Sequence, residues 1–262
     1  MRRLVCLLAC LAAVSIHAQR PTPAPGNVEG FEVASIRRNA SANDGARVSG
    51  NGGRLTITNN PLRNIIRNAW TLQDFQIVGG PSWMNTDRWD IVAKAEGNPG
   101  PQMMAMLQKL LADRFKLVVH KETRELPIYA LTFARPDHSL GPKMQASTTD
   151  CQKEMSAAIA RGGPPRPNSA LLCGIRSLPG HFQLNAAAMS NFVRNLTGFA
   201  GRSVVDRTGL TGVYDADLTW NDSDEGPSLF TAMQEQLGLK LEPQRGPVEV
   251  LVIDSVERPV ED

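Results

Sequence analysis

Three histidines stand in the body of the chain, His120, His138 and His181, among 26 acidic side chains. No two of them are close enough in sequence to form a local metal pair, and no H-E-x-x-H zinc helix, G-x-S-x-G nucleophile turn or phosphate-cradling P-loop occurs. Each histidine is therefore read as a surface or strand residue. Gly50-Asn51-Gly52-Gly53 comes nearest to a dinucleotide-binding turn, but Leu55 stands where the third glycine belongs, and a hairpin turn is the better reading. Asn221, Asp222, Asp224 and Glu225 could offer oxygen ligands to calcium, yet they lack the glycine and closing glutamate of an EF-hand loop and read as a solvated loop. No catalytic residue, cofactor or metal site is predicted. A Ser-His-Asp set gathered from distant positions is recognised by geometry and not by spacing, so a hydrolase acting on envelope or extracellular polymers stays open as the alternative.

Two segments carry the signature of a binding surface. Val204 to Asp215 runs from an apolar strand end into a turn, where Asp206 can accept backbone N–H bonds and Gly209 or Gly212 can take positive φ. Arg207 can pair with a carboxylate there, and Tyr214 follows. Val78-Gly79-Gly80-Pro81-Ser82-Trp83 sets an aromatic in a Gly-Pro loop, a common way to build a contact surface. Trp83, Asp206, Arg207 and Tyr214 are the candidate binding residues. At each of these turns a tightly hydrogen-bonded structural role competes with the functional one.

These residues need elements to hold them. Asn60 can cap a helix with Pro61 in its first turn, and Leu62, Ile65, Ile66 and Ala69 fall at i, i+3, i+4 and i+7. Met103 to Leu111 and Met189 to Leu196 repeat that spacing. A fourth helix carries Leu229 to Leu237, with Gly238 placed to end it in a left-handed turn. Trp89 to Ala95 and Tyr214 to Trp220 alternate with period two, as half-buried strands do, whereas Ile128 to Phe133 and Val248 to Ile253 are near-continuous apolar runs suited to central strands. The fold class is α+β, with helices packed on mainly antiparallel sheets.

The chain also repeats itself at an offset of 127: Leu55, Ile57, Leu62, Ile65 and Asn68 correspond to Phe182, Leu184, Met189, Phe192 and Asn195. Two diverged halves are expected, 31–135 and 180–259, each reading strand, helix, strand, helix and then a strand pair. A connector rich in Pro, Gly and Ser, 136–179, joins them and holds Cys151 and Cys173.

Residues 1–18 read as a secretory signal peptide: Arg2 and Arg3, an apolar stretch from Leu4 to Ile16, and Ala18 before the cut. The stretch falls short of the roughly 20 residues that cross a bilayer, so no transmembrane segment is expected in the mature chain. An uncleaved anchor and a lipid anchor on Cys10 are the alternatives. A Pro-rich, disordered spacer, 19–30, follows. Without Arg2 and Arg3, 26 of the 28 basic side chains face 26 acidic ones, and a neutral chain without basic runs gives no case for nucleic acid. Cys6 and Cys10 leave with the signal. An even pair in an exported chain implies a disulfide between Cys151 and Cys173.

Four phrases, Val78 to Ala95, Leu110 to Ala134, Val204 to Trp220 and Val248 to Pro259, resemble a family of uncharacterised exported proteins abundant in soil acidobacteria. That family carries no established activity. In some relatives a similar domain is joined to a membrane-bound sensor peptidase of the antibiotic-response type, which implies an envelope setting. Leu237 to Leu241 followed by Val248 to Ile253 is also similar to the short N-terminal domains of secretins and TonB-dependent receptors. The expectation is a periplasmic or secreted binding protein without chemistry of its own, whose partner is an envelope protein or a small ligand. A structural module of an envelope transport or sensing assembly is a further alternative.

Overall fold

The computed structural model describes residues 30–41, 45–161, 173–221 and 226–262. The signal-peptide reading, the spacer up to residue 29, Cys10, residues 162–172 of the expected connector and the Asp222, Asp224 and Glu225 cluster lie outside the described residues.

The first half opens with β1 (Val33–Arg38) and a hairpin of β2 (Arg47–Asn51) and β3 (Arg54–Pro61), then runs through α1 (Leu62–Trp70), β4 (Ile77–Gly79), α2 (Trp83–Thr86), β5 (Arg88–Lys94), α3 (Met103–Phe115) and β6 (Val118–Phe133). The segment expected as a connector carries β7 (Met144–Ala146), α4 (Cys151–Ala160) and β8 (Gly174–Leu178), and its cysteines are bonded, Cys151 to Cys173. The rest comprises β9 (His181–Ala188), α5 (Met189–Ala200), β10 (Ser203–Asp206), β11 (Val213–Thr219), α6 (Leu229–Ala232) and β12 (Leu239–Ser255). The described residues thus form a mixed α/β protein of 12 strands in three mainly antiparallel sheets, with six α-helices.

Sheet order is β1-β5-β3-β2 in the first sheet and β7-β11-β9-β8 in the third. In the first, α1 buries Leu62, Ile65, Ile66 and Ala69 and α3 buries Leu107, Leu111 and Phe115, all against Ile36, Leu55, Ile57 and Ile91. Each of these leucine, isoleucine and phenylalanine side chains contributes about 1.5–3 kcal/mol. Phe192 and Leu196 of α5 meet Phe182, Leu184 and Leu218 in the same manner beneath the third sheet. The fourth expected helix is regular only as α6; it continues as a π turn, Met233–Leu237, and Gly238 ends it at φ 70°. Gly238 has no substitute there, because a Cβ would lie 2.6 Å from the Gly141 nitrogen.

Two expectations change. Asn60 does not cap α1: its amide donates to the carbonyls of Arg47 and Thr58, and Pro61 stands at the cap without a side-chain bond. The strand pair expected at the end of each half is one long strand instead. β6 and β12 pair antiparallel from Val118 with Ser255 to Phe133 with Leu239, forming the middle of a central sheet ordered β10-β6-β12-β4. The flanking strands cross over, so that β4 runs parallel to β12 of the other half and β10 parallel to β6. Pro127 and Pro247 stand inside these strands because neither has a ladder on its outer side: β10 pairs with β6 only from Ile128 onward, and β4 with β12 only from Leu251 onward.

The outer sheets share a local distortion. Two residues of β3, Thr58 and Asn59, oppose Asp90, and two of β9, Asn185 and Ala186, oppose Asp215. Asn59 and Ala186 take φ 52° and 46°. In each bulge the opposing carboxylate accepts the strained residue's N–H, at 2.8 Å in both.

Candidate functional site

The third sheet presents a polar outer face because its strands alternate. β11 turns Tyr214, Ala216 and Leu218 inward and leaves Asp215, Asp217 and Thr219 outward; β9 buries Phe182 and Leu184 and leaves His181, Gln183 and Asn185. Asp217 lies opposite Gln183, and Asp215 opposite Gln145 of β7. β7 is only three residues long, and beyond it Lys143 continues the edge by accepting the Asp217 N–H at 3.1 Å through its carbonyl.

The result is an open groove of about 350 Å³ lined by Lys143, Gln145, Gln183, Asn185, Asp215 and Asp217. One oxygen of Asp215 is spent on the Ala186 N–H. His181 Nε2 lies 3.3 Å from an Asp217 oxygen, and Lys143 Nζ donates to the Thr219 hydroxyl at 3.5 Å. Side-chain amides donate and accept at once, carboxylates accept, and an ammonium donates. A groove with this lining suits a ligand that alternates donors and acceptors, as polyols and peptides do.

The residues singled out from the sequence are divided. Trp83 begins α2, packs against the first core and lies under the Arg258 guanidinium, 4.8 Å from its ring centre. Asp206 ends β10, and one of its oxygens accepts from the Thr208 N–H and hydroxyl at 2.9 and 2.7 Å. Arg207 is exposed, and its backbone N–H donates to Leu131. Tyr214 is buried in the second core, its hydroxyl donating to the Thr211 carbonyl at 3.0 Å. This second segment is built as a hydrogen-bonded turn.

His138 stacks on Phe133 with ring centres 4.6 Å apart. His120 Nδ1 lies 2.9 Å from both Asp254 oxygens, at the far end of the central ribbon. Among the described residues no group of three or more His, Cys, Asp or Glu side chains converges to hold a metal ion. None of the described helices is long and apolar enough to cross a membrane. The groove was not among the predicted sites, but its residues stand in a regular pattern: outward Asp215 and Asp217 recur at period two, and so do His181, Gln183 and Asn185.

Three four-stranded sheets, the central one shared between the two halves, define a mixed α/β protein with a polar groove on one outer sheet. The chain belongs to the family described as Protein of unknown function (DUF3738), whose profile matches residues 63–256. No curated protein and no solved structure matches it.

Proposed function

We propose that this is a non-enzymatic binding protein of the cell envelope that takes a small polar ligand, rich in hydroxyl or amide groups, in the groove on its third sheet. The observation that carries this reading is the set of polar side chains that line one opening, five from three adjacent strands and the sixth, Lys143, from the residue before β7. The Cys151–Cys173 disulfide supports an oxidising compartment. Titrating disaccharides and short peptides into isotopically labelled full-length protein tests it. Shift changes should map to Gln145, Gln183 and Asp217, and Asp217→Ala should weaken binding about tenfold or more, as the loss of a charge-assisted hydrogen bond does. Shift changes confined to other surfaces would sink the reading.

The His181–Asp217 contact supports a second reading, a hydrolase with His181 as base. Turnover of a bound polymer fragment, lost in His181→Ala, would favour it. We also infer that the two halves are a diverged duplication. Strand numbers in the third sheet are those of the first plus six, and the strained residues Asn59 and Ala186 stand 127 apart, the offset of the sequence repeat.

A further inference from the structure

The outer edge of β1 holds the other unusual contact. β1 pairs with β5 on one side only, and within β1 the odd-numbered residues face β5, as the Asn39 N–H that donates to Arg88 shows, whereas just before the strand Glu32 breaks that alternation by donating to the Lys94 carbonyl at 2.8 Å. In an antiparallel ladder the even-numbered groups, those of Ala34, Ile36 and Arg38, then point away from the sheet. Residues 260–262 of the same chain lie against that edge. The Ile36 carbonyl accepts from the Asp262 N–H at 3.2 Å, while the Ile36 N–H donates to an Asp262 carboxylate oxygen at 2.9 Å and the Arg38 N–H donates to Glu261 at 3.1 Å.

Only one of these three bonds joins backbone to backbone; the other two use carboxylates where a paired strand would offer carbonyls. The segment is a partial imitation of a strand. It is firmly fixed upstream, where Glu257 N–H donates to the Phe115 carbonyl at 2.7 Å and Arg258 pairs with Asp87 at 2.8 Å over the Trp83 ring. Beyond Pro259 the hold is thinner: Val260 is 86% exposed, and what remains besides the edge bonds is Arg114, which donates to the Val260 carbonyl at 3.3 Å and pairs with Asp262 at 2.6 Å in a half-exposed contact. The Ala34 groups on this edge have no partner among the described residues.

We propose that the outer edge of β1 is a docking site for an extended acidic segment of a partner protein, and that residues 260–262 cover it in the free protein as a displaceable strap. Docking is strand addition: the incoming backbone replaces the carboxylate stand-ins at Ile36 and Arg38, extends to Ala34, and places an acidic side chain on Arg114. Arg37 and Arg114 both act on the Asp262 carboxylate, and Arg38, paired with Asp87 at 3.0 Å, stands beside them; with the strap displaced, this edge favours acidic partners. This site stands apart from the groove, so neither proposal depends on the other.

The test uses the full-length chain and a fluorescent peptide of the strap's own sequence, Val-Glu-Arg-Pro-Val-Glu-Asp, beside a control with each Glu and Asp changed to Gln and Asn. Glu261→Ala with Asp262→Ala should open the edge, raising hydrogen exchange at the Ile36 and Arg38 amides and tightening peptide binding at least about tenfold over the unaltered protein. Adding Arg114→Ala should remove that gain, and the control peptide should not bind. Unchanged exchange at Ile36 and Arg38 would show that the strap does not cover the edge. An opened edge that fails to take up the peptide, or that takes the control equally well, would overturn the proposal.

Discussion

Asp87 is the buried carboxylate on which the strap's anchor depends, and Asp87→Asn is a nearly isosteric way to remove its charge. Only 8% of its side chain is exposed, and it accepts from Arg38 at 3.0 Å and from Arg258 at 2.8 Å. A hydrogen bond to a charged group is worth about 1.5–3 kcal/mol, but both arginines are more than half exposed, which reduces each bond to about 1 kcal/mol. The variant should lose about 2 kcal/mol at pH 7, a fall in Tm of about 4–8 °C for a chain of this size. The hydrogen bond from Arg258, with the charge of both arginines, holds the Asp87 carboxyl below the usual carboxylate range. A lowered folded-state pKa contributes stability that is complete above the unfolded value, about 4, and is lost as pH falls through the folded value. The deficit of Asp87→Asn should therefore be full at pH 7 and shrink progressively below about pH 4. Thermal unfolding of both proteins across pH 3 to 7, followed by circular dichroism, measures it. A deficit that stays constant across that range, or none at pH 7, would refute the electrostatic account.

Gly238→Ala should be among the most damaging single changes, at about 3 kcal/mol or more, because the new Cβ meets the Gly141 backbone and the residue must hold φ 70°; urea unfolding gives the value. Reducing the Cys151–Cys173 bond, with a sequence separation of 22, should cost about 3 kcal/mol in the chain-entropy account, read as the shift of the urea midpoint on adding reductant. Asp215→Ala should cost about 1–2 kcal/mol by releasing the Ala186 N–H, and Asp90→Ala should cost more, since Asp90 also accepts from the Asn39 amide at 2.8 Å; parallel denaturant melts rank the two.

Local periodicity carried much of the fold. Leu62, Ile65, Ile66 and Ala69 form the buried stripe of α1, and the apolar runs ending at Phe133 and Ile253 belong to the two middle strands of the central sheet. The Gly52-Gly53 turn closes the β2–β3 hairpin with both residues at positive φ. What periodicity cannot convey is which strands meet. The polar stretch from Lys121 to Glu125 lies outside the apolar run that begins at Ile128, yet it belongs to the same strand, β6. The Asn60 cap failed for a related reason: a long-range hairpin partner, the Arg47 carbonyl, took its amide. Trp83 and Tyr214 stood out by residue type, but pairing across β7, β11 and β9 is what gathers the groove, and no single segment shows it.

The crossed flanks of the central sheet bear on how the chain is made. β4 finds its neighbour only in β12, some 170 residues downstream, so the first half emerges from synthesis with β6 and β4 lacking the partner they share. Until Leu239–Ser255 has been produced, a 16-residue strand stays open to any other strand it meets, a direct route to aggregation. The same threading protects the finished molecule. A protease cut between the halves would leave two fragments interlocked through three shared ladders, co-migrating until denatured, and a chain that stops short of residue 239 would have no route to the native sheet.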